Sequence, residues 1–203
     1  MQRLTSRVVC LLALTAGAVS NSAAAAPDRW ITLFNGKDLA GWVVPTPNAQ
    51  WRVERGVLIG ESDEKLTGSM LLTERKYGDF VFETDVRWEG DPDSGVFMRT
   101  PALQVQIGTS ISQKRDLTGS FYLPKLGYPE ALQAKDAAKY LKRGDWNTLR
   151  VEAKGNTFTV SINGHPVSKY TDDKYAEAGP IGVQIHAKLK MKIEFRNMRI
   201  AER

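Results

Sequence analysis

One cysteine, two histidines and no hydrophobic run beyond residue 26 long enough to cross a bilayer define this 203-residue sequence by what it does without. Cys10 alone cannot build a disulfide framework or a cysteine-based zinc site. His165 and His186 leave little room for a multi-histidine metal centre. Gly-x-Ser-x-Gly, Gly-x-Gly-x-x-Gly and the P-loop are all absent, so serine-hydrolase, dinucleotide and nucleotide readings have no support. The net charge of +5 comes with no nucleic-acid motif, and nucleic acid is not expected as a partner. What remains is 42% hydrophobic and 25% charged, ordinary for a globular chain and foreign to a disordered, collagenous or coiled-coil one.

The first 26 residues read as a leader. Arg3 and Arg7 precede an apolar run from Val8 to Val19, and Ala23 to Ala26 supply the small residues of a cleavage site. A secretory signal peptide over 1–26 is therefore expected, with a single domain over 27–203 exported to the periplasm or the extracellular space. Its removal takes two arginines and no acid, so the net charge falls to +3. No membrane span is expected in the mature chain, and its oligomeric state is left open.

From Trp30 onward the pattern is short strands. Phe80, Phe82, Thr84, Val86 and Trp88 share one face of a strand, while Glu83, Asp85 and Arg87 share the other. Gln104 and Gln106 oppose Val105 and Ile107, and Gln184 and His186 oppose Val183 and Ile185. Glu54-Arg55-Gly56, Lys154-Gly155-Asn156 and Asn163-Gly164 mark hairpin turns. Helix-forming composition is confined to Pro129–Leu141. Roughly a dozen short strands at regular spacing predict an all-β sandwich or jelly roll with one short helix. The stretch Glu89–Gly95 carries oxygen ligands but lacks EF-hand spacing, and reads as a solvated turn.

Several segments, in order, resemble one family. Leu33-Phe34-Asn35-Gly36-Lys37-Asp38-Leu39-Ala40-Gly41-Trp42 is similar to the opening signature of the 3-keto-disaccharide hydrolase domain family. Asp93-Ser94-Gly95-Val96-Phe97-Met98-Arg99 resembles its Asn-Ser-Gly-[Val/Ile]-Phe-[aliphatic]-Arg element, and Gln104-Val105-Gln106-Ile107 stands where the family usually has Glu-Val-Gln-Ile. Thr118–Tyr122, Gly144–Asn147, Gly179–His186 and Phe195–Ile200 follow in the same order. The resemblance implies a concanavalin A-like β-jelly roll acting on sugars whose C3 hydroxyl has become a ketone. The ketone acidifies the C2 proton, a base removes it, and the glycosidic bond leaves by elimination. Water can then add, giving hydration or net hydrolysis.

The same positions supply the candidate site. His186 is the expected general acid or base, because imidazole titrates near neutral pH, with Asp85 as a second base or as the group orienting it. Arg99, Gln104, Gln106, Tyr122 and Gln184 are the expected carbohydrate-binding residues, on the alternating face that a curved sandwich offers to a ligand. No cofactor is required by these residues, no metal ligands are assigned, and a divalent metal is left open. Gln104 is the main departure, since an amide neither removes a proton nor binds a metal well. The Gln-x-Gln pair also argues against ordinary retaining glycoside hydrolysis, which needs two carboxyl groups about 5–5.5 Å apart. The alternative is a non-catalytic carbohydrate-binding module using the same surface.

Overall fold

The computed structural model describes residues 29–203. The expected leader over 1–26 lies outside the described residues. The chain folds into two antiparallel sheets packed face to face, as the strand pattern predicts. In chain order the strands are β1 (Trp30–Thr32), β2 (Trp42–Val43), β3 (Trp51–Glu54), β4 (Val57–Glu61), β5 (Ser69–Thr73), β6 (Phe80–Trp88), β7 (Asp93–Met98) and β8 (Thr100–Ser110). They continue with β9 (Arg115–Asp116), β10 (Phe121–Tyr122), β11 (Asn147–Lys154), β12 (Thr157–Ile162), β13 (His165–Thr171), β14 (Ile181–Ile185) and β15 (Lys192–Glu202). One sheet runs β13-β12-β11-β6-β15-β4-β3 with β1 on β15; the other runs β10-β8-β7-β14-β5-β2 with β9 on β8.

Alternation decides which side chains fill the space between the sheets. Phe80, Phe82 and Val86 of β6, Leu149 and Val151 of β11, and Phe158, Val160 and Ile162 of β12 face Leu103, Val105 and Ile107 of β8 and Val183 and Ile185 of β14 across one continuous core. The phenylalanines Phe80, Phe82, Phe121, Phe158 and Phe195 are fully buried. Each stabilises the fold by about 1.5–3 kcal/mol through area removed from water.

β15 breaks its own alternation. Ile193 and Phe195 point inward, then Met198 and Ile200 do, because the register against β6 shifts between Arg196 and Arg199. One extra residue is accommodated by Asn197 at φ +53°, a left-handed conformation that asparagine tolerates better than most residues. The Met198 carbonyl at this bulge accepts from Leu33 N, which anchors the N-terminal segment. There the signature turn holds itself: Asn35 Oδ1 accepts from the backbones of Lys37 and Asp38, and Asp38 Oδ1 accepts from Asn35 Nδ2 and Ala40 N. The Asn35 bond, reinforced by that of Ala40, holds the Asp38 carboxyl below the usual range. Trp42 Nε1 then donates to Leu33 O, closing the turn. This signature is a structural clasp.

The helical stretch is shorter than its composition predicts. A 3-10 turn at Glu130–Leu132 and a one-turn helix α1 at Ala137–Tyr140 are separated by a bent link from extended Gln133 to Asp136 at φ +56°. Between them Ala134 N donates to Ser120 Oγ and Lys135 N to Val167 O, so these amides serve neighbouring segments instead of a helix. Among the described residues, no helix is long and apolar enough to cross a membrane.

Candidate functional site

A cleft of about 300 Å³ lies on the outer face of the seven-stranded sheet, lined by Asp93, Gln104, Ser110, Ile111, Ser112, Tyr122, Tyr128, Gln184 and His186. The pairings of β7 with β8 and with β14, and of β8 with β10, bring its floor together. Tyr122 stands directly opposite Gln104, and Gln184 lies one strand beyond β7. Val105, Ile107, Val183 and Ile185 are committed to the core, so parity forces Gln104, Gln106, Gln184 and His186 to this face.

The floor is a network of amides. Gln104 Nε2 donates to Ser94 O at 3.1 Å and to Gln106 Oε1 at 3.0 Å, and lies 3.5 Å from Gln184 Oε1. Gln106 Nε2 donates to Asp93 Oδ1 at 2.9 Å, and the Tyr128 hydroxyl donates to Gln106 Oε1 at 2.7 Å. Asp93 Oδ2 accepts from Ile111 N at 2.8 Å. Gln106 is fully buried, beneath the surface that a ligand would touch. Tyr122 and Tyr128 pack ring to ring at 5.2 Å as an aromatic wall, and burial pushes the Tyr128 phenol well above its ordinary range.

His186 sits at the rim. Its Nδ1 is 2.7 Å from Ala187 O, and a carbonyl only accepts, so Nδ1 carries the proton. In the neutral ring Nε2 is then the atom with a lone pair, able to take a proton. The bulky turn after it is tied down by Lys188 N, which donates to Leu66 O, and by the Ser62 hydroxyl, which donates to Leu189 O.

The structure therefore gathers Gln104, Gln106, Tyr122, Gln184 and His186, and separates two other candidates from them. Asp85 lies on the opposite sheet, where its outer face forms a different groove of about 480 Å³ with Glu83, Thr148 and Asn197. Its carboxylate accepts from Thr148, Arg196 and Asn197, so it neither orients His186 nor reaches the cleft. Arg99 also stands away from the cleft. The β7–β8 register shift beside it and its φ of +60° turn it to the end of the sandwich. There its buried guanidinium donates to the carbonyls of Gly78, Gly155, Tyr175 and Ala176 and pairs with Asp79, tying chain segments together. Burial lowers its pKa and Asp79 opposes that shift, as fits an internal clamp.

Five lining residues, Asp93, Ser110, Ile111, Ser112 and Tyr128, escape the sequence reading. Asp93 belongs to a stretch that reads as a turn, and Tyr128 lies in a loop without periodicity. Only the folding of residues 111–128 over β8 exposes their role. Among the described residues, no group of three or more His, Cys, Asp or Glu is placed to hold a metal ion.

The two-sheet jelly roll is a fold shared by glycosyl hydrolase-like and carbohydrate-binding domains. The chain belongs to the 3-keto-alpha-glucoside-1,2-lyase-like domain family, whose sequence model matches residues 29–201. Among curated proteins none matches the sequence. Among solved structures it is similar to a glycosyl hydrolase-like protein of Parabacteroides distasonis (TM-score 0.65, 21% identity, 87% of this chain and 100% of that one). It is also similar to the carbohydrate-binding module CBM66 from Bacillus subtilis (TM-score 0.57, 18% identity, 80% and 96%). The kappa-carrageenase of Pseudoalteromonas carrageenovora, solved with an oligosaccharide of kappa-carrageenan, aligns at TM-score 0.62 and 11% identity, over 91% of this chain and 99% of that one. At these identities the likenesses establish the fold.

Proposed function

We propose that the protein is an exported enzyme that cleaves or hydrates 3-keto glycosides by abstracting the C2 proton, in the cleft over the seven-stranded sheet. Export rests on the charge and hydropathy pattern of residues 1–26. The substrate class rests on family membership. The observation that carries the site is the 2.7 Å contact of His186 Nδ1 with the Ala187 carbonyl, which turns Nε2, in the neutral ring, toward base chemistry at the rim of a cleft lined with amides and tyrosines. In the reaction Nε2 takes the proton from C2, and the C–H electron pair forms the C2–C3 double bond of an enediolate. Its charge comes to rest on the former ketone oxygen, where Gln184 and Tyr122 offer donors. Expulsion of the C1 substituent as electrons return from oxygen, with the proton held on Nε2 passing to the departing oxygen directly or through water, gives an alcohol and an enone and restores the base; water added to the enone gives the hydrated product. No step requires a carboxylate.

One observation favours a second reading. Both oxygens of Asp93, the carboxylate lining the cleft, already accept hydrogen bonds, as suits a site that binds without reacting. Incubation of the mature protein with 3-keto trehalose and 3-keto β-glucosides decides between them, with unoxidised sugars, chelator and added divalent metal in parallel. Turnover restricted to the keto sugars is expected, with a loss of 100-fold or more in His186→Ala, the scale of removing a general base. Asp85→Asn is expected to keep full activity. Saturable binding without turnover establishes the binding module instead.

A further inference from the structure

An amide does not declare which of its ends is oxygen, but the neighbours of Gln104 and Gln106 leave one solution. The Ser94 carbonyl only accepts, so the Gln104 atom 3.1 Å away is Nε2. This Nε2 also donates to Gln106 Oε1, as the Tyr128 hydroxyl does, which turns Gln106 Nε2 toward Asp93. From the far end, a carboxylate at Asp93 only accepts and demands the same orientation. Ser94 and Asp93, adjacent at the start of β7, thus set the network from both ends and agree. Asp93, Gln104 and Gln106 are all buried, where a reversed dipole would set acceptor against acceptor at high cost.

We infer that Asp93, acting through Gln106, fixes the polarity of the cleft floor, so that Gln104 presents its Oε1 and Gln184 its Nε2 to the ligand. The ligand half of this inference rests on the cleft being a sugar site. Both hydrogens of Gln104 Nε2 are committed to Ser94 O and Gln106 Oε1, but its positive end still favours the Gln184 oxygen, 3.5 Å away, over the Gln184 nitrogen, which is turned toward the ligand. A ketone oxygen needs a donor and takes Gln184 Nε2, while a hydroxyl on the next carbon donates to Gln104 Oε1. The floor matches an α-hydroxy ketone, read in that direction. Asp93 is a positioning residue that acts on this recognition through two side chains.

Directionality makes the test specific. Gln104→Glu sets a carboxylate against Gln106 Oε1 and Ser94 O, with no donor between. In Asp93→Asn the oxygen is held by Ile111 N, so the new amide nitrogen meets Gln106 Nε2, donor against donor. With both substitutions, Gln106 turned over relieves both of its own contacts: its Oε1 accepts at 93 and its Nε2 donates at 104, and only the Ser94 carbonyl is left without its donor. Each single variant is expected to lose roughly tenfold or more in its folding equilibrium constant, and the double variant to lose clearly less than the two losses together. Additive losses overturn the relay. Equilibrium binding of a 3-keto glucoside and of its unoxidised parent reads the ligand half. The preference for the ketone is expected to collapse in Asp93→Asn and Gln184→Leu, and a retained preference in both overturns it. If Gln104→Glu does not fold, the selectivity of Asp93→Asn decides. Should the wild-type protein bind neither sugar, the proposed function fails, while the folding cycle still decides the relay.

Discussion

Arg99 offers the sharpest test of the difference between a site residue and a clamp. Its Nε and Nη2 donate to Gly78 O at 3.0 and 2.6 Å, and Nη2 also pairs with Asp79 Oδ1 at 3.0 Å. Its Nη1 donates to Tyr175 O at 2.9 Å and Ala176 O at 3.1 Å, as well as to Gly155 O. The guanidinium lies 5.1 Å from the centre of the Phe158 ring, and its side chain is 1% exposed. Truncating one partner of a buried charge network costs about 3–5 kcal/mol, since the carbonyls left behind lose their donor in a place water reaches poorly. We expect Arg99→Ala to lower stability by about 4 kcal/mol, or the melting temperature by roughly 8–16 °C for a domain of this size. Arg99→Lys keeps the charge, yet a single ammonium cannot span carbonyls from separate segments, so about half the loss should remain. Urea denaturation followed by tryptophan fluorescence measures both. Below the transition, sugar binding or turnover by the folded variant should match wild type. A loss under about 1 kcal/mol, or a folded variant with tenfold weaker activity, refutes the clamp and returns Arg99 to the site.

Other outcomes follow from the same geometry. A Cβ at Gly95 would stand 2.6 Å from Gln104 Cγ and 2.7 Å from the Val105 carbonyl oxygen. Gly95→Ala should therefore destabilise the fold by roughly 1–3 kcal/mol and weaken sugar binding, checked by denaturation and calorimetry together. Burial alone would raise Glu194, but bonds from Arg87 and Lys192 outweigh it and hold the carboxyl below its ordinary 4.5. Its contribution is present above about pH 4.5 and is lost as pH falls through the lower folded value; Glu194→Gln should flatten that limb of the acid denaturation curve. Tyr128, raised by burial, behaves in the opposite sense: stability present below about pH 10 is lost as the pH climbs past it, and Tyr128→Phe should shallow the alkaline limb.

Strand alternation alone was enough to place the core, because a two-residue period admits one buried face per strand. Phe80, Phe82 and Val86, or Val183 and Ile185, could face only inward once the others were polar. The same parity brought Gln104, Gln106, Gln184 and His186 to one face, and the order of family motifs pointed to a jelly roll. Parity says nothing about which sheet a strand joins. Asp85 and His186 both lie on outward faces, and only the pairing of β6 with β11 and of β14 with β7 sets them on opposite sides of the sandwich. Arg99 reads as the next outward position after β7, until the register shift at Phe97 and Met98 turns it inward to the carbonyls that need it. Asp at 93 and Gln at 104 stand where the family pattern has Asn and Glu, and both are visible in the sequence. Their connection is not, because it runs through Gln106, whose orientation exists only once β7 lies beside β8 and the 111–128 segment covers both. Periodicity is local and survives in a single strand, whereas the direction of a buried hydrogen bond depends on neighbours that only the tertiary fold supplies.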